Sequence, residues 1–465
     1  MAISSKENLT LSSNKLFLIM SILMFVFYSN ITNAQKDFYK ITNEGLIVNI
    51  ISNENETNNS STANTDSKIY LDYTKDNISL NDELKEYLKI QKKIHGKFVP
   101  ITGNVKELYK FFKALKGIKT KKIRIAHYGD SILLGDVISE NLRQNFQNKF
   151  GGDGIGYLSI KPDDIRMKRT IRQTVTGDWK MGSITTGNRS HFPIGISGLT
   201  TKATRNSTVK FRTTKFMRTS RSFKTVRIFY SNANSSSTIK YSFEKGKFIS
   251  KKLKPGSGIK QLVINAPHLE KSLDINFGSA AGTYFYGVSL ENGNGIYVDN
   301  FSFKGGSGVT LTDIDEKTMK DFDKYLNYKL VIINFGINAT TLPISSLIWY
   351  KNKMLKVVKH FKRAIPGASI LLVSVGDKSI KINSRFVTDP KVLRLVKLQK
   401  EIATETKIAF WNLFEAMGGN NSMSRWVNAG PPLALRDFVH LTNLGGKIIA
   451  DLITQALMKE YKKMK

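Results

Sequence analysis

Residues 122–131, KIRIAHYGDS, set the fold class of this chain. Apolar and polar side chains alternate up to Tyr128, as in a strand, and Gly129-Asp130-Ser131 follows without a spacer. Beyond Ser131, apolar residues recur every fourth position, which places them on one face of a helix: Ile138, Leu142, Phe146 and Phe150. A strand that turns through G-D-S into a helix predicts an α/β fold with Ser131 exposed at the carboxyl edge of a sheet.

A similar succession of strand and helix patterns occurs in the C-terminal part of the sequence. Short apolar runs predict buried strands at 330–334, 369–375 and 408–412, and helical periodicity falls at 347–361, at 393–406 and after His440. Strands that alternate with helices predict a parallel sheet covered by helices on both faces.

The segment between these two parts, from about residue 161 to residue 297, has a different sequence pattern. Short alternating runs separated by Gly, Ser, Asn and Pro occur at 208–211, 225–230, 238–243 and 272–277. This pattern predicts an antiparallel β-sandwich inserted into the α/β domain.

The N-terminal residues indicate export. Residues 16–28 form an apolar run that is too short to span a bilayer, and small residues around Ala34 offer a cleavage point. We therefore expect a signal peptide at 1–34, with an uncleaved anchor as the alternative.

A polar linker is expected at 35–80, because 52–67 is rich in Asn, Ser and Thr.

The amino-acid composition limits the expected binding partners and the kinds of metal or disulfide site. The net charge of +34, from 71 Lys+Arg against 37 Asp+Glu, favours polyanionic surroundings. Nucleic acid, an anionic glycan and an acidic membrane surface all fit this charge, and charge alone does not choose among them. Because export argues against nucleic acid, we expect no nucleic acid as a partner, and we expect no stable membrane anchor. The chain has no cysteine, which excludes disulfides and thiolate metal sites. The histidines other than His440 show no metal-ligand spacing, so we expect neither a metal nor a cofactor.

Four separate segments of the sequence carry residue types that suit acyl transfer. Ser131 is a candidate nucleophile, and Asp437 lies close enough in sequence to orient the ring of His440 as a base. Asn338 and Gly305 follow strands and could donate hydrogen bonds to an oxyanion. Each motif alone is as well explained as a turn or a helix cap, and only the combination favours catalysis.

The combination resembles the SGNH (GDSL-like) hydrolase superfamily over about residues 120–160 and 295–465. Its blocks are Gly129-Asp130-Ser131, Gly305, Gly336-Ile337-Asn338 and Asp437 to His440. The resemblance implies a flavodoxin-like parallel sheet, a triad of Ser131, Asp437 and His440, and an oxyanion hole with Gly305 and Asn338. Gly306 is the alternative to Gly305.

Within the superfamily, the chain resembles the peptidoglycan O-acetylesterases, which carry a carbohydrate-binding-module-like β-sandwich after the serine block. The similar stretches are HYGDS (127–131), FGGDGIGY (150–157) and VDNFSFKGGSG (298–308). Ile132 departs from that group, which has a polar residue there, and this leaves the substrate open. The implied organisation is a hydrolase domain at 81–160 and 298–465, with a glycan-binding insertion at 161–297.

Three functions follow from the resemblance. The first is an exported O-acetylesterase that acts on a cell-wall or other anionic polysaccharide, with peptidoglycan expected. The second is a glycan O-acetyltransferase that uses the same site, because an acyl-serine can pass its acyl group to a sugar hydroxyl. The third is a glycan-binding protein without catalysis, and it ranks last because every catalytic residue type is present.

Overall fold

A computed structural model describes residues 39–42, 45–49, 68–72, 96–244 and 246–464. The chain divides into two compact units, residues 1–90 and 91–465. In the first unit, the strands β1 (Tyr39–Thr42), β2 (Gly45–Asn49) and β3 (Lys68–Asp72) form an antiparallel sheet in that order. Part of the expected linker at 35–80 is therefore regular structure, as the β-branched and aromatic residues of GLIVN and KIYLD favour. The expected signal peptide and the polar stretch 52–67 lie outside the described residues.

The second unit contains a larger set of strands and eight α-helices among its described residues. The strands are β4 (Thr102–Gly103), β5 (Lys122–Gly129), β6 (Asp153–Ser159), β7 (Ile171–Thr176), β8 (Lys180–Ser183), β9 (Leu199–Lys202), β10 (Thr208–Thr213), β11 (Phe223–Ser231), β12 (Thr238–Phe243), β13 (Ile249–Lys252), β14 (Lys260–Glu270), β15 (Ser272–Asn276), β16 (Tyr284–Asn292), β17 (Gly295–Ser302), β18 (Tyr328–Asn334), β19 (Ser369–Val373), β20 (Ser379–Ile382), β21 (Arg385–Thr388) and β22 (Ala409–Trp411). The helices are α1 (Tyr109–Lys116), α2 (Ser139–Phe150), α3 (Glu316–Leu326), α4 (Leu347–Ala364), α5 (Pro390–Glu405), α6 (Leu413–Met417), α7 (Ser422–Val427) and α8 (Asn443–Lys463). Among the described residues, no helix combines the length and the apolar character that crossing a bilayer requires.

A six-stranded sheet in the order β17-β5-β18-β19-β22-β4 confirms the predicted α/β class. Its first five strands are parallel, and β4 pairs antiparallel with β22 at the edge. Ile123 and Ile125 of β5 pack in one apolar cluster with α1, α2 and α8, whereas Ala126 and Tyr128 pack in another with α3, α4 and α5. Both faces of the sheet are covered, which is why β18 and β19 are nearly continuous apolar runs.

Antiparallel strands occupy the segment between β5 and β17. One sheet has the order β13-β12-β15-β10-β7, and a second has the order β14-β11-β16-β9-β8, with β6 also paired to β16. Side chains from both sheets share one apolar cluster, which includes Phe211, Ile228, Ile275 and Phe285. Strand β6 precedes the boundary expected at residue 161, yet it hydrogen-bonds with β16 in this antiparallel region.

The antiparallel strands and the parallel sheet also share a buried ionic network. Arg124 of β5 donates to Asp299 of β17 at 2.6 Å and pairs with Glu291 of β16. Lys122 reaches Glu291 at 2.8 Å, and the Tyr328 hydroxyl donates to Asp299 at 2.8 Å. Removing one member would leave an unpaired buried charge, which typically costs about 3–5 kcal/mol. This network holds the strand that leads to Ser131 in a fixed position.

Candidate functional site

Three side chains from distant parts of the chain meet at the carboxyl edge of the parallel sheet. Ser131 directly follows the turn after β5, and Asp437 and His440 lie in the loop before α8. The distance between His440 Nε2 and Ser131 Oγ is 2.8 Å, and His440 Nδ1 lies 2.7 Å from Asp437 Oδ2. The structure thus brings the predicted Ser131, Asp437 and His440 into one hydrogen-bonded chain.

The loop around His440 is held by hydrogen bonds between its backbone and the side chain of Asp437. Asp437 Oδ1 accepts hydrogen bonds from the N–H groups of Val439 and His440, each at 2.9 Å. Partial burial raises the pKa of the Asp437 carboxyl, but these bonds and the contact with the His440 ring outweigh it and lower the pKa below its usual range. A charged Asp437 holds the proton on His440 Nδ1, which leaves Nε2 free to accept the Ser131 proton.

The nucleophile candidate begins a short 3₁₀ segment, Ser131–Asp136, which is kinked at Leu134 and Gly135. The preceding Gly129 has no room for a side chain, because a Cβ there would lie 2.6 Å from Leu133 Cδ1 and 2.7 Å from the Asn334 carbonyl oxygen. Glycine therefore allows the chain to turn tightly out of β5 and to present Ser131 at the sheet edge.

Asp130 ties the Ser131 turn to the turn after β18, a role that the sequence did not reveal. Its side chain is buried; Oδ1 accepts from the Ile132 N–H at 3.1 Å, and Oδ2 accepts from the N–H groups of Gly336 and Ile337 at 2.9 and 3.1 Å. Burial raises the pKa of Asp130 to about 6, against the lowering effect of these bonds. Asp130 is therefore mostly charged at neutral pH and fixes the turn of Ser131 relative to that of Asn338.

The predicted oxyanion residues lie in two loops that contact each other. The Asn338 amide nitrogen donates to the Gly306 carbonyl oxygen at 2.9 Å. Gly306 N–H donates to the Phe303 carbonyl oxygen at 3.0 Å, so it is not free for a ligand. Gly305 has a φ of +74°, the left-handed conformation that favours glycine in such a turn, and its N–H has no acceptor among the described residues. Of the two glycines, Gly305 is thus the one with a free donor.

Helix α8 approaches the Ser131 segment closely because its first turn contains two glycines. A Cβ on Gly446 would collide with the Val137 carbonyl oxygen, and one on Gly445 would collide with the Leu433 carbonyl oxygen. Thr442 caps the helix by accepting from the Gly445 N–H at 3.2 Å. This close approach brings the loop of His440 within reach of Ser131.

A β-hairpin formed by β20 and β21 supports the same loop. The ring of Phe386 stacks on that of Phe438, with centroids 3.6 Å apart and planes 7° apart. Ser379 N–H donates to the Phe438 carbonyl oxygen at 3.1 Å. Phe438 lies between Asp437 and His440 and has a φ of +59°, which is unfavourable for a phenylalanine. External contacts must therefore hold this backbone, and the Phe386 stack is one of them.

The site is open to solvent. The side chains of Asp437 and His440 are 45% and 37% exposed. His127, by contrast, is buried behind Ser131: its Nδ1 lies 2.9 Å from Ser139 Oγ, and burial lowers its pKa to about 3. His127 thus stays neutral and packed, and His440 is the histidine within hydrogen-bond distance of Ser131.

Comparison with known proteins identifies the fold. No protein-family profile and no curated protein sequence matches the chain. A solved peptidoglycan O-acetylesterase is similar, with 20% identity, a TM-score of 0.62, and coverage of 78% of this chain and 99% of the other. An acetyl xylan esterase (16% identity, 35% and 81% covered, TM-score 0.28) and a family two carbohydrate esterase from Cellvibrio japonicus (11% identity, 64% and 99% covered, TM-score 0.27) are too distant for conclusions. The first similarity confirms, at the level of the fold, the resemblance that the motifs indicate.

Proposed function

We propose that this chain, which has the fold of the SGNH hydrolases, is a serine esterase that removes O-acetyl groups from a cell-wall polysaccharide, with peptidoglycan as the substrate. The observation that carries the proposal is the hydrogen-bonded chain from Asp437 through His440 to Ser131. The similarity to a peptidoglycan O-acetylesterase over most of both chains supports the choice of substrate.

In the proposed mechanism, Ser131 Oγ attacks the acetyl carbonyl carbon while its proton passes to His440 Nε2. The tetrahedral intermediate collapses, the C–O bond to the sugar breaks, and the departing sugar oxygen takes the proton from His440. Water then attacks the acetyl-serine with His440 as base, and acetate leaves as Ser131 regains its proton. Asp437 stabilises the positively charged ring of His440 in both halves of the reaction.

The negative oxygen of the intermediate needs hydrogen-bond donors that are already in place. We assign this role to the Gly305 N–H and the Asn338 side-chain amide. Asn338 has two amide hydrogens, and only one is used by the Gly306 carbonyl oxygen. Asp130 keeps the turn of Asn338 in register with that of Ser131, because it accepts hydrogen bonds from the backbone of both turns.

The exposure of the triad favours hydrolysis over acetyl transfer to a second sugar. A transferase must keep water away from its acyl-serine, whereas the side chains of Asp437 and His440 are 45% and 37% exposed. The test is acetate release from an aryl acetate with and without an added sugar acceptor. Acetate yield that is unchanged by the acceptor supports an esterase, and a matching yield of acetylated sugar would identify a transferase.

We further propose that the enzyme acts outside the cytoplasm, in the periplasm or as a secreted protein. The apolar run at 16–28 and the small residues near Ala34 support export, and an acetylated cell-wall glycan lies in that compartment. Mature protein recovered from an extracytoplasmic fraction, with an N-terminus close to Gln35, would bear this out. Full-length protein confined to the cytoplasm would contradict it.

Replacing Asn338 with alanine is expected to lower kcat by about 10²–10³-fold, because one oxyanion donor is lost. KM for an aryl acetate should change little, since the donor acts mainly in the transition state. The control is Asn428→Ala, which removes an exposed asparagine from the end of α7. A defect confined to KM would assign Asn338 to substrate binding instead.

Replacing Phe386 with alanine is expected to lower kcat by roughly 2- to 10-fold, because an aromatic pair contributes about 0.5–1.5 kcal/mol to holding the His440 loop. Phe386→Tyr should restore the rate, since the stack on Phe438 is kept. Arg385→Ala, on the same hairpin, is the matched control. A lower rate in Phe386→Tyr as well, or in Arg385→Ala, would mean that the stack is not what positions His440.

A further inference from the structure

The outer face of the sheet β13-β12-β15-β10-β7 concentrates positive charge. Alternation along β10 turns Val209 and Phe211 into the apolar cluster and leaves Lys210 and Arg212 on the other side. The strand register places further basic residues on that same side, because Lys210 pairs with Thr174, Arg212 with Arg172, and Thr238 with Lys252. We call this set the basic face: Arg172, Lys210, Arg212, Lys240 and Lys252.

The basic face carries little opposing charge. Among the residues of its five strands, all of which the structure describes, Asp274 is the one carboxylate. Asp274 pairs with Arg212 at 2.5 Å and lies 3.8 Å from Lys210. The positions between the cations hold hydroxyl and amide side chains, including Thr174, Thr208 and Asn276. Such a surface offers cations for carboxylates and neutral hydrogen-bonding groups for sugar hydroxyls.

The segment that contains the basic face is strongly basic as a whole, but only some of its Lys and Arg side chains lie on that face. Residues 161–260 contain 23 Lys+Arg against 4 Asp+Glu. Lys202 lies instead on β9 of the other sheet, over the rings of Phe192 and Tyr284, and Arg218 bonds to Asn148. The register therefore selects a defined group of cations from a generally basic stretch.

We propose that the basic face binds an anionic cell-wall polysaccharide and holds it on the enzyme while Ser131 acts on its acetyl groups. Strands spaced about 4.8 Å apart, with alternate side chains about 7 Å apart along each strand, present a regular array of cations to an extended chain. The face belongs to the same compact unit as Ser131. The inference rests on the proposed function for its substrate, but its binding step is independent of the chemistry.

The test measures binding of the Ser131→Ala protein to peptidoglycan sacculi by co-sedimentation and to soluble polygalacturonate, at several salt concentrations. In that background, Lys210→Gln/Lys240→Gln/Lys252→Gln should bind about tenfold more weakly, since each exposed ionic contact contributes a few tenths to 1 kcal/mol. The salt dependence should also flatten, because fewer cations are engaged. All three lysines are exposed, so the fold should be unaffected.

The matched control removes the same charge elsewhere: Lys356→Gln/Lys359→Gln/Lys397→Gln, three exposed lysines on α4 and α5. This variant should bind both glycans like the parent. An equal loss of glycan binding in both triple variants, or no loss in the first, would overturn the basic face as the binding surface. Stronger binding of a DNA duplex than of polygalacturonate would overturn it as well. Aryl acetate turnover, measured with Ser131 restored, should be unchanged in both, and that measurement separates a failure of binding from a failure of the proposed esterase.

Discussion

Replacing Ser131 with alanine is expected to lower kcat for an aryl acetate by on the order of 10⁶-fold while the fold stays intact. The hydroxyl that forms the acyl bond in the proposed mechanism is lost, and the 2.8 Å contact to His440 Nε2 disappears with it. A small residual rate should remain, because the oxyanion donors and substrate binding are untouched. The measurement is steady-state hydrolysis of an aryl acetate, with the far-ultraviolet circular dichroism spectrum as the check on folding.

Ser250→Ala provides the control for the Ser131 variant, because Ser250 is an exposed serine on β13, in the antiparallel region. Its rate should equal that of the wild type. A Ser131→Ala protein that hydrolyses the ester at the wild-type rate would remove Ser131 from the mechanism.

Replacing His440 with alanine is expected to be about as damaging as losing Ser131, whereas Asp437→Asn should cost on the order of 10⁴-fold. Without His440 the serine proton has no acceptor. With a neutral amide in place of the Asp437 carboxylate, the base remains but loses the charge that holds the proton on Nδ1 at a 2.7 Å contact. Rates for each variant and for the Ser131→Ala/His440→Ala double variant are the measurements.

The double variant should be no slower than either single variant, since the two residues act in one step. His268→Ala, which removes an exposed histidine from β14, is the matched control and should be fully active. Additive losses in the double variant would show that Ser131 and His440 do not share a mechanism.

The parallel sheet could be predicted from the sequence because its signals are local. The strand before Gly129 alternates, the helix after Ser131 repeats every fourth residue, and the later strands are short apolar runs bounded by turns. The carboxyl ends of parallel strands meet at one edge, so residues that follow different strands, such as Ser131 and Asn338, could be expected to lie near each other.

The supporting contacts could not be predicted, because they depend on which strands become neighbours. Asp130 bonds to Gly336 across more than 200 positions of sequence, and this requires β5 and β18 to be adjacent. The stack of Phe386 on Phe438 requires the hairpin β20–β21 to fold over the His440 loop. Single glycines such as Gly446 look like ordinary helix residues until the close approach of Val137 is seen.

The location of the basic side chains is a second feature that could not be predicted from the sequence. The excess of Lys and Arg between 161 and 260 is visible in composition, but the side of the sheet on which each lies depends on the register. A shift of one residue would turn Lys210 inward and Phe211 outward. Composition therefore suggested an anionic partner, and only the strand pairing identifies a candidate surface for it.

The most direct test is acetate released from O-acetylated peptidoglycan sacculi by the wild-type protein and by Ser131→Ala at equal concentration. We expect the wild type to release acetate with time until the O-acetyl groups are consumed, and the Ser131→Ala protein to release none above the buffer control. No acetate from the wild type would contradict peptidoglycan as the substrate, and equal release by both proteins would contradict Ser131 as the nucleophile.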